Sequence, residues 1–245
     1  MKKITLALTA VLAFSAGSAL ANEQQWAYDG EAGPAHWANV DPSFAGCAHG
    51  VNQSPVNLTG FIEAEMAPLE FIYTGLATEI GNNGHTIQVN YAAGSTMKVA
   101  GRTYMLRQFD FHSPSEHQIN GEYFPMEAQF VHADYDGNLA IVSVMFTVGE
   151  ENAGMKKLWR QMPTEEGTKA GLYSQVRAEE LMPADRDYYR YNGSLTTPPC
   201  SEGVTWIVMK NPVTLSEAQL KQFTEVMGQS NNRPVQATNA RPVLQ

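Results

Sequence analysis

The chain has 245 residues, 43% hydrophobic and 17% charged, and its sixteen basic against twenty-five acidic residues give a net charge of -9. An acidic chain with no basic run excludes nucleic acid and anionic membrane surfaces as partners, because like charges repel. Two cysteines are too few for a thiolate zinc cluster or a disulfide scaffold, and 10% aromatic residues argue against disorder, which leaves six histidines as the candidates for transition-metal chemistry.

Residues 1–21 read as a cleaved signal peptide. Lys2 and Lys3 precede an apolar run from Ile4 to Phe14, and Ala19-Leu20-Ala21 fits a small-x-small cleavage site. The run is too short for an anchor across about 30 Å of hydrocarbon, so no membrane span is expected. Cleavage leaves fourteen basic and twenty-five acidic residues, a mature charge of -11. The leader is bacterial in style and predicts a periplasmic or secreted protein. Such compartments permit disulfides, so Cys47 and Cys200 are a candidate pair, with two buried free thiols as the other reading. No linker, repeat or low-complexity tract divides residues 22–245, which are read as one domain.

Residues 29–60 are rich in Pro, Gly and Asn but also carry aromatic and apolar side chains, and read as ordered wrapping. Thr86 to Tyr91, Tyr104 to Phe111 and Glu127 to Ala133 alternate as strands do, and Leu139 to Val148 is apolar enough for a strand buried on both faces. Asn82-Asn83-Gly84 and Asp136-Gly137-Asn138 supply turns. A short helix is predicted over 154–162, and Val204 to Met209 is a further strand. Ser216 and Gln219 form a capping box that opens a helix with Leu220, Phe223 and Met227 on one face, closed by Gly228. Residues 229–245 wrap like 29–60. The fold class is mainly β, with few helices.

Strand periodicity also places chemistry. Gln108, Asp110 and His112 share one face, with Phe109 and Phe111 on the other; Glu127, Gln129 and Val131 share a face of a second strand. If the two strands are neighbours, Asp110, His112 and Gln129 converge on one spot, as three ligands of a metal do. A satisfied polar cluster on a solvated sheet face is the commoner outcome of such a pattern.

Several motifs occur in a recognisable order: Asn52-Gln53-Ser54-Pro55-Val56-Asn57, Gln108-Phe109-x-Phe111-His112, Ser115-Glu116-His117, Gly193-Ser194-Leu195-Thr196-Thr197-Pro198-Pro199-Cys200 and Asn231-Asn232-Arg233-Pro234-Val235-Gln236. With them the chain resembles the α-class carbonic anhydrases, especially bacterial secreted members, from about Trp26 to Arg241. The resemblance implies a large, twisted, mostly antiparallel central sheet with short peripheral helices. It implies reversible hydration of carbon dioxide to bicarbonate by metal-bound hydroxide, with zinc held by three histidines. Here the three ligand positions fall on Asp110, His112 and Gln129, and His132 aligns with a histidine that is not a ligand. Zinc accepts carboxylates, but an anionic ligand makes bound water harder to ionise, and a carboxamide oxygen is a weak donor. Zinc is therefore expected to be weakly bound or absent, and activity at neutral pH low.

The resemblance also assigns roles to the surrounding pocket. Thr196 corresponds to the threonine that orients the metal-bound hydroxide, Glu116 to the carboxylate that accepts its proton, and His85 to the proton shuttle. Val131, Ile141, Leu195, Val204 and Trp206 correspond to the apolar wall for carbon dioxide, and Thr197 to a residue near bicarbonate. Gln108, Asn82 and Gln88 would line the polar side. His117 and Glu127 resemble a structural pair behind the site, and Cys47 and Cys200 align with the disulfide of bacterial members. The expected partner is a small molecule, carbon dioxide or bicarbonate. The alternative is a catalytically silent relative that uses the pocket or surface for binding without stoichiometric zinc; a weaker third reading is an esterase at an altered metal centre.

Overall fold

The computed structural model describes residues 26–245, so the expected leader at 1–21 lies outside the described residues. Its centre is an eleven-stranded sheet. Eight strands form the main path: β1 (Ala77–Asn82), β2 (Ile87–Tyr91), β3 (Arg102–His112), β4 (Met126–Ala133), β5 (Leu139–Val148), β6 (Lys169–Gly171), β7 (Tyr188–Ser194) and β8 (Glu202–Met209). They lie in the order β6-β1-β2-β3-β4-β5-β8-β7. Neighbours on this path are antiparallel except β5 and β8, which run parallel with Ile141 opposite Trp206. The expected strands are present, and the mainly antiparallel sheet with few short helices is the fold read from the sequence.

The sheet buries its two faces differently. Phe109, Phe111, Phe130, Val142 and Phe146 enter the larger core, closed by the helices α1 (Ala153–Trp159) and α2 (Glu217–Met227). Ile141, Met145, Val204, Trp206 and Val208 form a second cluster on the opposite face. This explains the continuous apolar character of β5, whose alternate residues feed different cores. Helix α2 has the expected Ser216–Gln219 capping box, and Gly228 ends it in the left-handed region at φ 70°. Helix α1 is shorter than predicted. Asn152 caps it by accepting from the Met155 N–H, and it closes at Trp159, where the Trp159 indole donates to the Gln219 carbonyl.

The segments 29–60 and 229–245 wrap the sheet with little regular structure. Short bridges tie them together, Val56 to Gln236 and Ile62 to Leu244. Arg233 is almost fully buried and donates to the carbonyls of Cys47 and Ser54 and to the Gln53 side chain. Cys47 and Cys200 are disulfide-bonded, joining positions 153 apart. Among the described residues no helix is long and apolar enough to cross a membrane.

Candidate active site

The register of three adjacent strands assembles the floor of a cavity. Asp110 of β3 lies opposite Gln129 of β4 on one side and Gln88 of β2 on the other. Because side chains alternate along β3, Gln108, Asp110 and His112 all line a cavity of about 260 Å³, together with Gln129. The convergence expected from periodicity is therefore realised.

Each floor residue is held by specific partners. The Nδ1 of His112 donates to the Asn231 carbonyl at 2.6 Å, which leaves Nε2 directed to Asp110 Oδ1, 3.3 Å away. Burial disfavours the imidazolium, but the carboxylates of Glu116 and Asp110 outweigh it and raise the pKa of His112 to about 10. Gln129 donates its Nε2 to Glu116 Oε2 at 2.7 Å and to Glu127 Oε1 at 3.1 Å. Glu116 accepts at its other oxygen from the Arg233 N–H. Among the described residues no hydrogen bond joins Thr196 to Glu116; Gln129 takes the place at Oε2.

Glu127 is the electrostatic anchor behind the floor. It accepts from the main-chain N–H groups of Glu116 and His117, from His117 Nδ1 at 2.9 Å and from Ser143 Oγ. Burial opposes its charge, yet His117 and these donors hold its carboxyl down to about 2. The His117–Glu127 pair is thus present and fully buried, and His117 Nε2 continues to Tyr191 Oη at 2.6 Å.

His85, Val131, Ile141, Leu195, Thr196 and Thr197 line the cavity, as do Gln88 and Gln108. Val204 and Trp206 do not. Both are buried in the cluster that backs Ile141, Val131 and Leu195, so they support the apolar wall from behind. Glu116 is likewise covered by Gln129 and fully buried. Asn82 lines a neighbouring cleft instead. Trp26 and Tyr28 also line the cavity, with Asn83 and Thr86, and were not singled out as site residues from sequence. Trp26 stacks on His85 with ring centroids 3.7 Å apart, and burial pulls the His85 pKa below its ordinary value. The two stacked residues are 59 positions apart, and no local pattern announces their contact.

Two polar atoms in the lining residues are buried without hydrogen-bond partners, Asp110 Oδ1 and Tyr28 Oη. Such orphans are rare in folded proteins and mark a place where a ligand completes the bonding. For a metal ion, Asp110 Oδ1 and His112 Nε2 would be two adjacent strong donors once the metal displaces the Nε2 proton. Among the described residues no three His, Cys, Asp or Glu side chains are grouped to hold a metal. The third donor is then the carboxamide oxygen of Gln129, whose nitrogen is committed to two carboxylates. The residues fit a divalent ion as a site with two strong donors and one weak one.

The family model described as Eukaryotic-type carbonic anhydrase matches residues 32–245. The chain belongs to the carbonic anhydrase family. It is 45% identical over 244 residues to a carbonic anhydrase of Neisseria gonorrhoeae, spanning 97% of this chain and 96% of that one. A solved α-carbonic anhydrase from Thermovibrio ammonificans, in complex with the inhibitor sulfanilamide, is 48% identical with a TM-score of 0.89, covering 91% and 99% of the two chains. A structure of dioscorin complexed with ascorbate is 32% identical with a TM-score of 0.84, covering 90% and 97%. This carbonic anhydrase relationship accounts for the common sheet; the chemistry depends on which side chains meet in the cavity.

Proposed function

We propose that the chain is a periplasmic or secreted carbonic anhydrase of low activity, hydrating carbon dioxide reversibly to bicarbonate and a proton. The observation that carries this reading is the buried Asp110 Oδ1, without a hydrogen bond and 3.3 Å from His112 Nε2, at the floor of a family-type cavity. Asp110, His112 and Gln129 would hold zinc, standing where the family places three histidines. Bound zinc supplies a polarised water as nucleophile. Val131, Ile141 and Leu195 offer carbon dioxide an apolar seat that excludes bulk water. Thr196 and Thr197 line the same cavity and would offer hydroxyls to the product oxygens. His85, held against Trp26 and half-buried, would carry a proton between the cavity and solvent, as a mainly neutral acceptor because burial lowers its pKa. Low activity follows from the donors: the Asp110 carboxylate offsets metal charge, and Gln129 binds weakly while occupying the Glu116 oxygen that Thr196 would use.

A second reading is favoured by that last contact. With Gln129 bonded to Glu116 and Glu127, the floor is largely satisfied by its own side chains, as suits a silent relative that binds small molecules. That a dioscorin relative was solved with ascorbate supports a small organic acid as the ligand in this reading. Metal analysis of the purified protein, joined to a carbon dioxide hydration assay across pH, separates the readings. Substoichiometric zinc at ambient metal, and turnover that rises with added zinc and with pH, is expected. Stoichiometric zinc with fast turnover at pH 7 refutes low activity, and no turnover under excess zinc leaves the binding reading.

A further inference from the structure

A second cleft, of about 360 Å³, shares no lining residue with the catalytic cavity. Its wall includes Met66, Pro68 and Leu69 on one side and Arg186, Tyr188 and Lys210 on the other. The Tyr188 hydroxyl donates to the Ala67 carbonyl at 2.6 Å and pins the first segment in place. The main chain of residue 245 bonds Ile62 and Ala64 and closes one end.

Two basic side chains line this cleft. Acidic residues outnumber basic ones twenty-five to sixteen. Like several other basic side chains, neither Arg186 nor Lys210 forms an ion pair among the described residues. The Arg186 guanidinium lies over the Phe71 ring at 5.2 Å, which fixes its plane, and its Nη1 is buried without a hydrogen-bond partner. An unsatisfied buried donor on a charged group is strongly unfavourable, and native folds nearly always supply a partner. Lys210 stands over the Tyr189 ring at 5.1 Å. Among the lining side chains Arg186 and Lys210 are cationic and Asp187 is anionic, and Gln245 lies beside them.

We propose that this cleft binds a small organic carboxylate, its head on Arg186 and Lys210 and its apolar body against Met66 and Leu69. The guanidinium N–H groups open to the cleft would donate to such a carboxylate. Two cationic side chains suit an anionic head, and the nearby Asp187 disfavours a dianion such as phosphate. The volume lies at the small end of ligand sites, which limits the occupant to a short chain or a single ring.

The test is an amide-resonance titration of the isotope-labelled, secreted full chain with hexanoate, with acetate, hexanol and inorganic phosphate as comparisons. Hexanoate is expected to shift the amides of Leu69, Tyr188 and Lys210 saturably, without moving those of Leu195 and Thr197 in the catalytic cavity. Acetate and hexanol each lack half of the recognition and should bind about tenfold more weakly, as should hexanoate to Lys210→Met or Arg186→Met. If Arg186→Met does not fold, Arg186→Lys keeps the charge, loses the planar guanidinium donors, and should show the same weakening. Absence of saturable shifts, shifts confined to the catalytic cavity, affinity unchanged in the variants, or tighter binding of phosphate than of hexanoate would each overturn the proposal. None of these outcomes depends on carbon dioxide hydration.

Discussion

Gln129 offers one amide nitrogen to two carboxylates, Glu116 and Glu127, and this contact sets the character of the cavity floor. A histidine at this position would present a ring nitrogen to the cavity and its other N–H to Glu127. The carboxamide instead spends its nitrogen on both acids and leaves a weak oxygen for a metal. Asp110→His combined with Gln129→His is therefore expected to raise zinc affinity and hydration turnover together, by about a hundredfold or more. Zinc binding by dialysis and stopped-flow hydration check this; tight zinc without turnover would show that Thr196 and Glu116 do not meet as the family pattern requires. A second residue, His132, is fully buried between Tyr73 Oη at 2.7 Å and the Phe130 carbonyl at 2.8 Å. Burial lowers its pKa from 6.5 to about 4. The unfolded chain thus binds this proton more readily than the folded one, so stability present above pH 6.5 is lost as pH falls from about 6.5 to about 4. Urea unfolding over that range should show the decline in the native protein and a flatter arm in His132→Gln; equal slopes would remove His132 as its cause.

The elements show which local rules hold. Strand β3 delivers Asp110 and His112 to the cavity and Phe109 and Phe111 to the core because a strand alternates its side chains, whatever lies around it. Helix α2 forms where a serine accepts from the Gln219 N–H and the glutamine returns the bond to the Ser216 N–H. Gln219 also bonds Asn152 through both side-chain atoms, so the capping box docks α2 onto the start of α1. Ser216→Ala should cost about 1 kcal/mol and lower the thermal midpoint by about 2–4 °C, measured by calorimetry. Gln219→Ala should cost more, since it also unties the two helices. The predicted end of α1 at 162 was too late because periodicity does not register the turn after Trp159 that the Gln219 contact stabilises.

At the scale of the molecule, the cavity is built from segments that only the complete sheet brings together. Thr196 and Thr197 follow β7, and the loop beyond them ends at Cys200, which the disulfide fastens to the short helix carrying Cys47. Arg233 adds hydrogen bonds to the same corner. Replacing both cysteines by serine is expected to lower stability by up to about 4–5 kcal/mol, read from chemical unfolding, and to weaken substrate binding by loosening Thr196 and Thr197. A variant as stable as the native protein would show that the Arg233 contacts alone hold the corner. Alternation, the capping box and the order of short motifs were legible beforehand, since each expresses backbone geometry within a few neighbouring residues. That reading reached the family, the sheet, and the convergence of Asp110, His112 and Gln129. Residues whose partners are remote were not legible in this way: Trp26 on His85, Gln129 on Glu116 in place of Thr196, Val204 and Trp206 behind the wall, and the unpaired Arg186. Those positions depend on which strand lies beside which and how tightly side chains pack between them, and no periodicity along the chain carries that information.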